Sequence, residues 1–176
     1  MQYLITGVAG FIGYHIAERL LIDQHSVIGI DCFLDSYPKD VKQDRIRSLS
    51  DYDTFHFIED SIVTMDLEAI LQDTEIIFHE AAQAGVRASW GKAFEEYSTN
   101  NILGTQRLLD TLIDHASIRK LVYASSSSVY GDVERMPIVE TDRKQPVSAY
   151  GVSKLAAEHL CYLYWKNYQV PTISLR

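Results

Sequence analysis

The chain has 176 residues, 47% of them hydrophobic and 23% charged, with 24 acidic against 16 basic side chains for a net charge of −8. That balance belongs to one folded globular domain and excludes a disordered or low-complexity chain. The acidic surplus argues against a nucleic-acid or anionic-membrane binder, which would need a basic face, although backbone amides can still take a phosphate ligand.

In chain order, residues 2–6 (Gln-Tyr-Leu-Ile-Thr) predict a strand and residues 11–23 a helix. Val27 to Ile30 predict a second strand, closed by Asp31. The polar stretch from Leu34 to Asp53 predicts a loop holding a short helix. Phe55 to Ile58 and Ile76 to Phe78 predict the third and fourth strands. Residues 94–116 carry Ile102, Leu109, Leu112, Ile113 and Ala116 at helical spacing. A fifth strand follows at Leu121 to Tyr123. Residues 148–167 predict a long helix with Val152, Leu155, Ala156, Leu160 and Leu163 on one face, and Val170 to Leu175 a sixth strand. Strands alternating with helices imply a Rossmann-type α/β fold, a doubly wound parallel sheet with helices on both faces. Arg176 closes a strand with nothing after it to cover the carboxyl ends of the sheet. Residues 1–176 are therefore expected to be the first part of a longer protein.

No apolar run approaches the roughly 18 residues of a membrane span, and the first residues lack the layout of a secretory signal. A cytoplasmic protein is expected. Cys32 and Cys161 lie far apart without CxxC spacing, and the six His show no ligand spacing. Neither a disulfide framework nor a metal site is expected.

Two clusters carry chemistry. The first strand turns through Gly7-Val8-Ala9-Gly10-Phe11-Ile12-Gly13 into a helix. Glycines spaced GxxGxxG between a strand and a helix permit a tight turn, close approach of backbone to a pyrophosphate, and close helix–strand packing. Asp31 ends the second strand 18 residues after Gly13, where a carboxylate accepts hydrogen bonds from adenine-ribose hydroxyls and repels a 2′-phosphate. NAD is thereby favoured over NADP. Asp60, after the third strand, can accept from the adenine amino group.

In Tyr150-Gly-Val-Ser-Lys154, Tyr and Lys stand one helical turn apart on one face. A phenol with an ordinary pKa of about 10 is a poor base at neutral pH. A neighbouring ammonium and an oxidised nicotinamide both favour its phenolate, which suits proton exchange with a sugar hydroxyl as hydride leaves the same carbon. Ser125 to Ser128 follow the fifth strand, where one hydroxyl near Tyr150 would help hold the substrate oxygen.

Gly7-Gly10-Gly13, Asp31, His79-Glu-Ala-Ala82, Ser125-Ser-Ser-Ser-Val-Tyr-Gly131 and Tyr150-x-x-x-Lys154 stand in the order and spacing of one family. Over its whole length the chain resembles the extended short-chain dehydrogenase/reductases, in particular the NAD-dependent nucleotide-sugar epimerases and dehydratases. The resemblance implies a Rossmann domain, a smaller C-terminal substrate domain that is missing here, and a homodimer built on the helices at 94–116 and 148–167. It assigns catalysis to Tyr150, Lys154 and Ser126, the last by its position in the motif ending in Val-Tyr-Gly. It assigns cofactor contacts to Gly7, Gly10, Phe11, Ile12, Gly13, Asp31, Asp60, Ser61, Ala81 and Ala82, and to Tyr150 and Lys154 beside their catalytic roles. Asn101 would sit near the nicotinamide ribose.

Related dehydratases keep Asp-Glu where this chain has Ser127 and Ser128, and neither hydroxyl protonates a leaving group well at neutral pH. The resemblance therefore favours a 4-epimerase working through a transient 4-keto sugar, with Ser127 and Ser128 contacting substrate. A dehydratase or reductase of the same family, or a silent NAD-binding module, is the alternative. Ala81 to Arg87, together with Asp35-Ser-Tyr-Pro38, Lys42 and Arg45, is similar to UDP-glucuronate 4-epimerases, and Arg87 would meet an anionic part of the UDP-sugar. Cys32, Glu59 and Glu80 depart from the family pattern. Glu80 stands where an apolar residue is usual.

Overall fold

Alternate residues of each strand face opposite sides of one sheet, and both sides are covered. The computed structural model describes residues 1–133 and 135–176. Its strands are β1 (Gln2–Thr6), β2 (Ser26–Asp31), β3 (Phe55–Glu59), β4 (Ile76–His79), β5 (Lys120–Ala124) and β6 (Thr172–Leu175). All five pairings are parallel, as the alternation of elements predicts, and the order is β3-β2-β1-β4-β5-β6. Among the described residues the α-helices are α1 (Phe11–Ile22), α2 (Lys39–Leu49), α3 (Glu68–Leu71), α4 (Phe94–Tyr97), α5 (Gly104–Thr111) and α6 (Ala149–Tyr168). Leu4, Ile77, Leu121 and Tyr123 point into a core closed by Leu108 and Leu109 of α5 and by Ala157 and Cys161 of α6. Tyr3, Ile5 and Val27 point the other way, onto Ala17 and Leu21 of α1 and Ile46 and Leu49 of α2. This period of two on a sheet buried on both faces explains why the strands read as short continuous apolar runs.

Two stretches differ from the sequence expectation. The polar stretch after β2 contains an eleven-residue helix, α2, which buries only Lys42, Ile46 and Leu49. So thin an apolar stripe carries little periodic signal. The single helix expected over 94–116 is instead α4, a π-helical stretch at Ser98–Leu103, α5, and a 3-10 turn at Leu112–Asp114. A wide π turn admits an extra residue, which a 3.6-residue period cannot register. Here it turns Asn101 inward. The Asn101 side chain accepts from Gln83 N–H at 2.7 Å and donates to Gln83 C=O at 3.1 Å and Ser153 Oγ at 2.9 Å.

A buried polar chain joins β1, β4 and α5. Thr105 Oγ1 donates to Asn101 C=O at 2.7 Å, so it accepts from His79 Nε2–H at 2.9 Å. His79 Nδ1 then accepts from the Thr6 hydroxyl at 2.7 Å, and Thr6 Oγ1 accepts from Ala81 N–H at 3.2 Å. Complete burial holds the His79 pKa down at about 3, against an ordinary 6.5. Below pH 6.5 the unfolded chain takes up this proton and the folded chain does not until about pH 3. Stability is therefore full above 6.5 and is lost as pH falls through that window, at about 1.4 kcal/mol per pH unit from this one group. His79→Gln should be less stable at neutral pH yet show a shallower loss between pH 6 and 4, measured by urea unfolding at both.

Candidate active site

In this strand order the progression of successive strands reverses between β1 and β4, and the crevice beyond their carboxyl ends is where open α/β sheets bind ligands. The turn after β1 is built for close approach. Gly7 has φ +75°, and a Cβ there would lie 2.7 Å from Ala81 N. Gly10 N–H donates to Gly7 C=O at 3.0 Å, and Gly10 leads into α1 with extended backbone. A Cβ on Gly13 would lie 2.4 Å from Gly7 C=O, so that glycine lets α1 sit against the turn. No acidic residue occupies the first turn of α1, leaving its positive end open to an anion.

One cavity runs along this crevice, lined by Gly7, Gly10, Phe11 and Ile12 on one side and Ala81 and Ala82 on the other. Asp31, Cys32, Asp60, Ser61 and Ile62 line its β2–β3 end. Asp31 Oδ2 accepts from Ala9 N–H at 3.1 Å and Oδ1 from Phe33 N–H at 2.8 Å. Burial raises its pKa from the ordinary value, against those two bonds and the charge of Lys42. Asp60 Oδ1 accepts from Ser61 N–H at 2.7 Å.

The loop after β2 also reaches the cavity, through Leu34, Ser36 and Tyr37, as does Lys42 of α2. Tyr37 Oη and Arg45 Nη1 both donate to Ala9 C=O, at 3.0 and 3.1 Å, and buried Lys42 Nζ donates to Leu34 C=O at 2.7 Å. Sequence reasoning found these residues only as a family likeness. Their signal, basic and aromatic groups on a thinly apolar helix, has no period of its own.

Tyr150 and Lys154 line the same cavity beside Ala124 and Ser125. They share one face of α6, which Ser148 caps by accepting Gly151 N–H at 3.0 Å. Tyr150 is held from behind by two residues that the sequence did not reveal. Its N–H donates to the fully buried Ser89 Oγ at 3.0 Å, and its ring meets Tyr97 edge-on, 6.2 Å between centroids. The Tyr97 hydroxyl is in turn shared between the carbonyls of Ala84 and Gly85, at 2.9 and 2.8 Å. Burial raises the Tyr150 pKa above its ordinary 10, while the neighbouring Ser126 hydroxyl pulls the other way. In the chain by itself burial wins and Tyr150 is a neutral phenol. Lys154 is almost wholly buried, its Nζ 4.6 Å from the centre of the Tyr123 ring, and burial draws its pKa down to about 8.

Among the serines, Ser125 is committed to Glu158, donating to Oε2 at 2.8 Å. Ser126 Oγ accepts from Ser128 N–H at 3.1 Å and caps the short turn Ser127–Val129. Gly13 lies beneath the glycine turn, and Ser126, Ser127, Ser128, Asn101 and Arg87 do not line this cavity. Asn101 is buried and its amide is spent on Gln83 and Ser153, whereas Asn100 lines the cavity. Arg87 is exposed at the start of a 3-10 turn and forms no ion pair among the described residues. Among the described residues there is also no cluster of three metal-ligating side chains and no helix long and apolar enough to cross a membrane.

The family model described as GDP-mannose 4,6 dehydratase matches residues 4–176. The chain is 43% identical to an uncharacterized UDP-glucose epimerase of Bacillus subtilis, covering 100% of this chain and 55% of that protein. It is 38% identical to a probable UDP-glucuronate 4-epimerase of Rhizobium meliloti, with 100% and 52% covered. Among solved structures, UDP-glucuronic acid 4-epimerase from Bacillus cereus in complex with UDP-glucuronic acid and NAD superposes with a TM-score of 0.96 at 44% identity, covering 100% of this chain and 56% of that one. The chain thus spans about half the length of the relatives it matches. With a model match over nearly every residue, it belongs to the GDP-mannose 4,6 dehydratase family.

Proposed function

We propose that this chain is the NAD-binding and catalytic half of a UDP-sugar 4-epimerase, with UDP-glucuronate as the first substrate to try. The observation that carries the proposal is one cavity lined at one end by Gly7, Gly10 and Asp31 and at the other by Tyr150 and Lys154. NAD held there would supply reversible hydride transfer at C4 of the sugar. The glycine turn, with Phe11 and Ile12, takes the diphosphate; Asp31 takes the adenine ribose; Asp60 and Ser61 take the adenine. Ala81 and Ala82 line the groove. Asn101 acts from behind, by fixing the Gln83 backbone and Ser153.

Tyr150 is the acid/base. Since burial keeps it neutral in the chain by itself, its phenolate needs positive charge from both Lys154 and the oxidised nicotinamide, so it becomes a base only when the cofactor is in place. Ser126 shares the proton of the 4-hydroxyl, and Ser127, Ser128 and Arg87 meet the UDP-sugar. Ser127 and Ser128 carry no carboxyl, which supports epimerisation over loss of water. The relatives' greater length supports activity in the full-length protein and silence in this half alone. The exposed Val152, Tyr162, Leu163 and Trp165 of α6 support a homodimer, and we place the protein in the cytosol.

Asp31→Asn removes the charge that accepts ribose hydroxyls and repels a 2′-phosphate. NAD affinity should fall roughly ten- to a hundredfold and the preference for NAD over NADP should shrink, read by fluorescence titration with each cofactor. For the reaction, the full-length protein is incubated separately with UDP-glucuronate, UDP-glucose and UDP-N-acetylglucosamine, and the products are resolved by chromatography. A C4 epimer of unchanged mass is the expected product. Loss of one water would make it a dehydratase.

A further inference from the structure

Glu80 is a carboxyl in a cavity suited to an anionic diphosphate, a placement that costs energy unless a cation offsets it. Its own N–H extends the β1–β4 pairing by donating to Thr6 C=O at 3.1 Å, which fixes the residue at the mouth of the crevice. The side chain is half-buried, lines the same cavity as Lys154, and accepts no hydrogen bond among the described residues. Lys154 Nζ, almost wholly buried on α6, likewise donates none among the described residues.

The other titratable groups around Lys154 cannot answer its charge. His79 of β4 is neutral at any pH above about 3 and is committed to Thr6 and Thr105. On β5, burial keeps Tyr123 protonated, so it offers only a ring face. Cys161, two turns along α6, is held as the thiol by a pKa near 12. Glu158 on the same helix is spent on Arg176, whose Nε lies 3.1 Å from both its oxygens, and on Ser125. Tyr150 and Tyr97 are neutral phenols whose pKa burial raises. Asp31 and Asp60 lie at the far end of the cavity and accept backbone N–H bonds, and Lys42 is bonded to Leu34.

We infer that Glu80 is a positioning residue, the carboxylate that shares the cavity with the buried Lys154 amine and keeps it charged from across that space, without a direct ion pair among the described residues. The inference rests on Lys154 being the partner of Tyr150 but not on the sugar or the reaction. Each group supports the other's charge: Glu80 raises the Lys154 pKa against burial, and Lys154 lowers that of Glu80 against the same cost. A neutral amine would do nothing for the Tyr150 phenolate, so losing Glu80 should narrow the pH range of activity from the alkaline side.

The test reads Lys154 directly. The 13Cε and 15Nζ shifts of its side chain are followed against pH by NMR in this chain without cofactor, in Glu80→Gln and in Glu80→Asp. The parent should be half-charged near pH 8. Glu80→Gln should leave Lys154 mostly uncharged at that pH, and Glu80→Asp should restore most of the charge. An unmoved midpoint in Glu80→Gln overturns the inference. The reciprocal variant, Lys154→Met, should raise the titration midpoint of the Glu80 carboxyl carbon, and an unmoved Glu80 midpoint would equally overturn it, so neither arm depends on the other variant folding. No arm uses turnover. Failure of the epimerase proposal would therefore leave this result standing, and failure here would leave that proposal intact.

Discussion

Tyr150→Phe should lower turnover of the full-length protein by about a hundred- to ten-thousandfold while leaving NAD affinity within about twofold of the parent. The variant removes one oxygen. It keeps the backbone bond to Ser89 and the edge contact with Tyr97, so the ring should stay where it is. The loss should appear in kcat with little change in KM, because the proposed role of the phenol is to act on the proton leaving the 4-hydroxyl and not on the bulk of the nucleotide. Steady-state kinetics beside a cofactor titration separates the two. Equal losses in turnover and NAD binding would mean that Tyr150 builds the site and does not act in it.

Gly13→Ala should be the more damaging change to the fold. Its Cβ would sit 2.4 Å from Gly7 C=O and 3.0 Å from both Gly7 C and Val8 Cα. All three are backbone atoms of the glycine turn, so no side chain can swing aside. Relief requires α1 to move off β1, which opens the turn and uncovers the core that Ala17 and Leu21 share with Ile5. We expect a stability loss of about 3 kcal/mol, with no measurable NAD binding even below the new melting temperature. Calorimetry with and without NAD tests both parts: the parent should be stabilised by the cofactor through mass action, and the variant should not. A variant that melts normally and still gains stability from NAD would show that the tight packing of α1 on the turn is dispensable.

What the sequence made legible follows from how its signals repeat. Buried parallel strands such as Leu4-Ile5 and Ile76-Ile77-Phe78 leave contiguous apolar runs, and the glycine turn leaves fixed spacings, so the parallel sheet and the glycine-lined end of the cavity are readable from the residues alone. Tyr150 and Lys154 are readable because one helical turn separates them. Ser89 and Tyr97, which hold Tyr150 from behind, come from segments 61 and 53 positions away and carry no local pattern. The π turn that directs Asn101 inward and Asn100 to the cavity is invisible to a 3.6-residue period, which is why the sequence alone puts Asn101 beside the ribose. Glu80 stands out in the sequence only as an oddity. Its explanation needs the burial of Lys154 and the commitments of Glu158 and His79, none of which a linear pattern records.

The most direct test of the central proposal follows one hydrogen atom. The full-length protein is given UDP-glucuronate deuterated at C4, and the product is examined by NMR and mass spectrometry. Inversion at C4 with the deuterium still on that carbon and no change in mass is the predicted result, because the proposed mechanism returns the hydride to the same carbon and gives Tyr150 only the hydroxyl proton. Inversion with the label lost to solvent would contradict a hydride held within the site, and recovery of unreacted substrate after NAD is supplied would contradict the epimerase itself for this sugar.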